Sequence, residues 1–249
     1  MSAIDSASVH VLILAAGAST RLGSPKQLAR VRGRPALLSV VQAAVSVAGQ
    51  AVTVVVGAHA ARILPMLSRT GVSTVVNRRW EEGLGSSLRA GLAALPATCD
   101  AVLVALGDQV EVTGQDLKRL LDTWKGQDGV IAAALYRQTA GVPALFPRWV
   151  FPELADVRGD RGARLVLQRH GDRVVHVPMP NAAVDLDTPE DLERLNAGVT
   201  PERVPAEAVE ESGNVTALDW SAQTWLLPSG LTLAPGDSEE NHAAHHRPE

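Results

Sequence analysis

Gly17, Arg21, Gly23, Pro25 and Lys26 place two cations and two glycines directly after an apolar run, Val9–Leu14. The segment reads LILAAGASTRLGSPKQL over residues 12–28. These residue types suit phosphate. Glycine lets backbone N–H groups turn toward an anion without a Cβ in the way. Arginine grips phosphate oxygens through a two-pronged guanidinium, and lysine adds a compact charge. Two familiar phosphate loops do not fit the spacing. A Walker A loop has four residues between its glycines and a lysine right after the second; here five residues separate Gly17 from Gly23, and Ser24 and Pro25 precede Lys26. The dinucleotide fingerprint G-x-G-x-x-G fails because Ser19 stands where its second glycine belongs. An ordinary strand-to-helix turn with surface cations is the alternative.

Four other places carry candidate chemistry. Asp108 follows an apolar strand end and Gly107, where a carboxylate either holds the divalent cation that a triphosphate requires or caps a helix. Asp185 and Asp187 flank Leu186 just before a helix start, and extended backbone would send both carboxylates to one side. Asp187 or Thr188 is then the helix cap. In GLGSSLRAG (83–91), Ser86 or Ser87 either caps the next helix or bonds a base or ribose. GDRGAR (159–164) offers two guanidiniums near a helix start, suited to a second phosphate or equally to an exposed turn. His10, His59 and His176 fall at strand edges or junctions and read as packing or surface residues. No Ser–His–Asp order or zinc spacing is present.

What must position these residues is a chain of 249 residues, 46% hydrophobic, with formal net charge −4. That is enough for one well-buried α/β domain and an appendage, and it lacks the basic field that would attract nucleic acid. The single cysteine, Cys99, cannot close an internal disulfide, which suits a reducing compartment. The opening MSAIDSASVH lacks a basic region and a long apolar run, and no stretch matches a bilayer span. The expectation is a soluble cytoplasmic protein with no membrane or nucleic-acid partner.

Apolar, β-branched runs at Val9–Leu14, Ala51–Val56, Val72–Val76, Ala101–Leu106 and Gly129–Leu135 predict strands. Between them Ala36–Ala48, Ala60–Ser68, Ser86–Leu95 and Thr113–Lys125 carry helical spacing. Later, Pro143–Phe146 predicts a short strand, Arg161–Arg169 a helix, Arg173–Val177 a strand, and Asp187–Leu195 a capped helix start. This alternation predicts a mostly parallel sheet between two helical layers, with the ligand crevice outside the carboxyl ends of the strands. Ala15–Gly17, Gly57–His59, Asn77 and Gly107–Gln109 should therefore converge. The nucleotide-handling unit is expected over residues 1–197. Residues 198–249 should form an extension: a Pro- and Glu-rich linker (199–213), a segment around Trp220 and Trp225 able to pack, and a disordered tail. His242, His245 and His246 in that tail read as incidental.

The loop LAAGASTRLGSPK (14–26) resembles the signature loop of the nucleotidyltransferases related to the molybdenum-cofactor enzymes, which transfer CMP or GMP to molybdopterin. NRRWEEGLGSSLRAGL (77–92), LGDQ (106–109), GVPALF with GDRGAR (141–164) and DLDTPEDL (185–192) extend the resemblance in order across residues 9–197. The terpenoid-pathway cytidylyltransferases have a similar loop but usually a His–Asp–Ala–Ala–Arg run where this chain has LGDQ. Sugar-phosphate nucleotidyltransferases commonly carry a larger sugar-binding region.

The resemblance implies a Rossmann-like three-layer α/β/α nucleotidyltransferase fold that transfers CMP from CTP to molybdopterin with release of pyrophosphate. It implies Arg21 and Lys26 on the triphosphate, and Leu14, Ala15, Ala16, Gly17, Gly57, Ser86 and Ser87 around the nucleotide. It makes Asp108 the Mg2+ ligand, completed by Asp185 or Asp187, and gives Asp160 and Arg164 to the acceptor. In these families Ala-Ala-Gly goes with cytidine and Ala-Gly-Gly or Gly-Gly-Gly with guanosine, so Ala16 implies CTP. A molybdoenzyme client is the implied downstream partner. Two positions depart from the pattern: Val142 replaces a usual His or Asn, and Val110 a usual proline. The rival readings are the same transfer to another small phosphorylated acceptor, and a noncatalytic nucleotide or cofactor carrier.

Overall fold

A computed structural model describes residues 8–127 and 129–198. The expected linker, tryptophan segment and histidine tail lie outside the described residues.

In chain order the strands are β1 (Val9–Ala15), β2 (Arg30–Val31), β3 (Arg34–Pro35), β4 (Val52–Val56), β5 (Ser73–Val76), β6 (Ala101–Leu106), β7 (Ile131–Tyr136), β8 (Thr139–Pro147) and β9 (Val174–Pro178). The helices are α1 (Ala36–Ala48), α2 (Ala60–Leu67), α3 (Leu84–Leu92), α4 (Gly114–Trp124), α5 (Phe151–Asp156), α6 (Arg164–Arg169) and α7 (Pro189–Asn196). Seven strands form one sheet in the order β5-β4-β1-β6-β8-β7-β9, and β2-β3 is a separate small hairpin. Pairings β5/β4, β4/β1, β1/β6 and β7/β9 are parallel. β8 runs antiparallel to both β6 and β7. The sheet is mostly parallel, as its alternating pattern implies.

β1 shows why the sheet carries two layers. Val11, Ile13 and Ala15 pack toward α1, α2 and α4, while Leu12 and Leu14 pack toward α3, α5 and α6. Successive strand side chains point to opposite faces, so an unbroken apolar run needs cover on both. Each fully buried valine or leucine contributes about 1.5–3 kcal/mol, which makes this central strand the anchor of the domain. A third, smaller cluster joins Leu22, Val31, Ala36, Leu186 and Leu195, so the loop after β1 is packed against α7.

Three boundaries differ from expectation for physical reasons. β8 spans nine residues rather than four. Gly141 looks like a strand breaker in sequence, yet it pairs with Ala134, and Pro143 falls at the register shift that follows. α6 begins at Arg164 rather than Arg161, because Gly159–Arg161 forms a 3-10 turn and Gly162 takes φ 52°. α3 begins at Leu84 with Gly83 as its N-cap, so Ser86 and Ser87 lie inside the helix and the capping alternative does not hold.

Candidate active site

The carboxyl ends of β1 and β6 open into a cleft of about 380 Å³. Leu14, Ala15, Ala16, Gly17 and Ala18 form one wall, and Leu106, Gly107 and Asp108 another. Lys26, Gln27, Trp80, Glu81, Gly83, Leu84, Ser87 and Asp160 complete it. The loop's shape comes from backbone contacts. Gln27, 2% exposed, donates through Nε2 to Ala15 O at 3.0 Å and Gly17 O at 3.1 Å. Lys26 N donates to Ser19 Oγ at 3.1 Å, and a His59 Nε2 contact of 2.8 Å holds Ala18 O. The left-handed residues of the loop are Ser19 (φ 57°) and Gly23 (φ 72°). Gly17 contributes space instead: a Cβ built there meets nothing within 4 Å.

Gly57 does not line the cleft but supports it from behind. A Cβ there would stand 2.7 Å from Ala16 O and 2.8 Å from Ala16 Cβ. Ala58 N donates to Ala16 O at 3.0 Å. The β4 end thus fixes Ala16, which lines the cleft. Asn77 works in the same way from β5. Its Nδ2 donates to Ser86 Oγ at 2.8 Å and Ser87 Oγ at 3.1 Å. Ser86 Oγ donates to Arg79 O and Gly83 O, both at 2.8 Å. Ser86 therefore shapes the turn, while Ser87 reaches the cleft wall.

The charged centre joins residues far apart in sequence. Lys26 Nζ lies 2.5 Å from Asp108 Oδ2 and 2.8 Å from Asp187 Oδ1. Arg21 Nη2 meets the other oxygen of Asp187, Oδ2, at 2.6 Å. Burial works to lower the Lys26 pKa, and Asp108 and Asp187 outweigh it, so the ammonium is held above its ordinary value. Asp185 lies close enough to feel the same charges. Burial first, then Asp108 and Asp187, pushes its carboxyl up to about 6. Leu186, fully buried in the α7 cluster, explains the pairing: its side chain points inward, and the two aspartates that flank it face the opposite way. Thr188 caps α7 in a reciprocal box with Asp191, which leaves Asp187 for the cations.

Asp187 separates two cavities. Lys26 lines the cleft on one side. Arg21, whose side chain is 71% exposed, lines a second cavity of about 670 Å³ with Arg137, Asp185 and Asp187. Arg21 and Lys26, neighbours in the loop, therefore do not share a wall. Asp160 faces the cleft next to Gly83, whereas Arg164 is exposed at the start of α6.

Residues missed by the sequence reading hold the second half together. Gln109 Nε2 donates to Val142 O and Ala182 O, each at 2.9 Å. Asn181 Nδ2 donates to Glu111 O at 2.9 Å and Asp116 Oδ2 at 2.7 Å. Arg119 Nη1 donates to Pro178 O and Arg137 Nη2 to Ala183 O. The LGDQ and DLDTPEDL motifs contained Gln109 and bordered Asn181, but nothing in local spacing shows what these side chains reach.

Among the described residues, no group of three His, Cys, Asp or Glu side chains stands arranged to hold a metal ion by itself. A hard dication at a nucleotide typically needs only one or two carboxylates, since phosphate oxygens and water supply the rest. Asp108 and Asp187 already converge on one cation, the Lys26 ammonium, and Asp185 adds a third carboxyl nearby. The donor set fits such an ion.

A family model described as the MobA-like NTP transferase domain matches residues 11–174. Nicotine blue oxidoreductase of Paenarthrobacter nicotinovorans is 32% identical over 206 residues, covering 78% of this chain and all of that protein (100%). The crystal structure of Rv0371c from Mycobacterium tuberculosis H37Rv is similar at TM-score 0.65 and 30% identity, over 77% of this chain and 98% of that one. A second crystal structure of Rv0371c, a complex with manganese, matches at TM-score 0.63 and 29% identity over 77% and 100% of the two chains. The molybdopterin-guanine dinucleotide biosynthesis protein A of Archaeoglobus fulgidus shares the fold at TM-score 0.57 and 17% identity, over 76% and 97%.

Proposed function

This chain belongs to the MobA-like NTP transferase family, and we propose that it transfers CMP from CTP to a molybdopterin-type phosphorylated acceptor, releasing pyrophosphate. The observation that carries the reading is the Lys26 ammonium gripped by Asp108 and Asp187 at the floor of a cleft walled by residues 14–18. Small residues along that wall let a nucleotide approach the backbone, and Lys26 is placed to meet its phosphates. The Ala15-Ala16-Gly17 run, which in these families goes with cytidine, supports cytosine as the base.

The reaction asks little covalent chemistry of the protein. A phosphomonoester has a second pKa of about 6, so at neutral pH it attacks without a general base. Its oxygen forms a bond to the α-phosphorus of CTP. The bond from that phosphorus to the bridging oxygen breaks, and pyrophosphate leaves with the electron pair. Lys26 holds the triphosphate and offsets charge on the departing group, and Arg21, on the other oxygen of Asp187, orients that carboxylate from the second cavity. Asp108, with Asp185 or Asp187, would hold Mg2+, which supplies charge neutralisation on the phosphates when bound. Positioning and electrostatics carry the rest.

The test is pyrophosphate release with Mg2+ and molybdopterin, comparing CTP with GTP. Release with CTP alone upholds the reading; release with GTP alone keeps the reaction and overturns the base assignment. Nucleotide binding without turnover favours a different acceptor or a carrier. The name of the Paenarthrobacter nicotinovorans relative favours a second reading, oxidation–reduction of a small substrate in this cleft. Bleaching of nicotine blue by an added two-electron reductant, dependent on this protein, would establish that reading instead.

A further inference from the structure

The second cavity, on the far side of Asp187, has a wall that the proposed chemistry leaves unexplained. Its tip is Arg137, in the two-residue turn that joins β7 to β8. Both turn residues, Arg137 (φ 48°) and Gln138 (φ 59°), take left-handed backbone conformations. Such turns favour Asn and Gly, which tolerate positive φ; a long cation is a poor choice for the turn itself. A strained residue kept at a cavity mouth points to work done by its side chain. Arg137 Nη2 donates to Ala183 O at 2.8 Å, and the cavity also holds Asp185 and Asp187. That bond uses one of five guanidinium N–H groups.

We propose that Arg137 is a specificity-determining residue for the second substrate: it holds the acceptor's phosphomonoester beside the Asp185–Asp187 segment. The assignment rests on the reading of this protein as a transferase with a phosphorylated acceptor. It places the acceptor's anion on the β7–β8 side, across Asp187 from the nucleotide cleft, and makes a planar guanidinium rather than a bare ammonium the fitting donor.

Arg137→Gly separates binding from structure, because glycine suits the turn. The expected result is a Tm at or above that of the unaltered protein, an acceptor KM raised at least about 10-fold, and a CTP KM within about 2-fold. Arg137→Lys should recover only part of the acceptor KM. A fall in Tm, or both KM values rising together, would mean that Arg137 merely ties the hairpin to Ala183, and would overturn the proposal. If the unaltered protein binds CTP yet releases no pyrophosphate with molybdopterin, the proposed function has failed, and calorimetry with inorganic phosphate on the CTP-loaded protein decides the matter. Phosphate binding weakened at least about 10-fold by Arg137→Gly upholds the anion site; equal binding, or none to the unaltered protein, overturns it.

Discussion

On the β5–β4–β1–β6 side of the sheet, the ligand wall is backbone and small side chains. Ala15–Ala18 line it, Gly57 supports it from behind, and parallel strand ends bring the pieces together. On the β8–β7–β9 side, segment 180–187 has no strand to hold it, and the side chains of Gln109, Asn181, Arg119 and Arg137 tie it and its approach to the core. The first half is built by close approach and the second by buried polar bonds. Errors in the first should act through crowding, and errors in the second through stranded carbonyls and displaced carboxylates.

Lys26 stands at the seam, so its loss should be the largest single effect. Lys26→Ala is expected to lower turnover about 10²–10³-fold while Tm changes little. Pyrophosphate release and a melting curve on one preparation check this, and a parallel collapse of Tm would make the lysine structural.

Gln109→Leu probes the polar half. It strands Ala182 O, at about 1–3 kcal/mol for a buried group, while Val142 O keeps the Tyr136 hydroxyl as a donor at 3.1 Å. Acceptor KM should rise more than CTP KM, because Ala182 leads into Asp185. Equal changes in the two KM values would erase the distinction between the halves.

Gly57→Ala probes the crowded half in the opposite sense. Its new methyl must displace Ala16 or Trp80, which costs about 1–3 kcal/mol in a packed site. Here CTP affinity should fall and acceptor KM stay within error, as titration of CTP by calorimetry would reveal.

The smallest effect concerns pH. Burial would raise the Asp116 carboxyl, but Thr113, Arg119 and Asn181 outweigh it and hold it below the ordinary range. A depressed folded pKa contributes stability above the unfolded value of about 3.9, and that contribution disappears as pH falls through the folded pKa. Asp116→Asn should therefore cost about 1 kcal/mol at pH 7, with the gap to the unaltered protein closing in denaturant melts as pH drops below about 4. A gap constant with pH would show that the anionic form is not what anchors Asn181.

The fold was legible where a short window contains the cause. α1 matches its expected bounds because Pro35 and Gly49 bracket an apolar periodic run. The start of α7 is legible from Pro189 and the acids of its first turn, while the choice of Thr188 over Asp187 as its cap comes from the structure. The expected strand at Pro143–Phe146 is only the second half of β8: Thr139–Gly141 join it through pairing with β7, and Val142 and Pro143 fall at the register shift between the two halves. Ser86 stands open in the sequence between capping and ligand binding; its partner Asn77 becomes visible only when β5 meets α3.

By itself the sequence determined the alternating α/β plan, the glycine-and-cation loop after β1, and the candidate carboxylates Asp108, Asp185 and Asp187. Those are statements of residue type and short-range period, which the chain carries locally. Tertiary structure alone decided that Lys26 closes on Asp108 and Asp187, 82 and 161 residues away, while Arg21 takes the other oxygen of Asp187 and a different cavity. It also decided that Gln27 and Gln109 are framework rather than surface. Electrostatic pairing and buried hydrogen bonds depend on where the sheet brings its strand ends, and no window along the chain contains that distance.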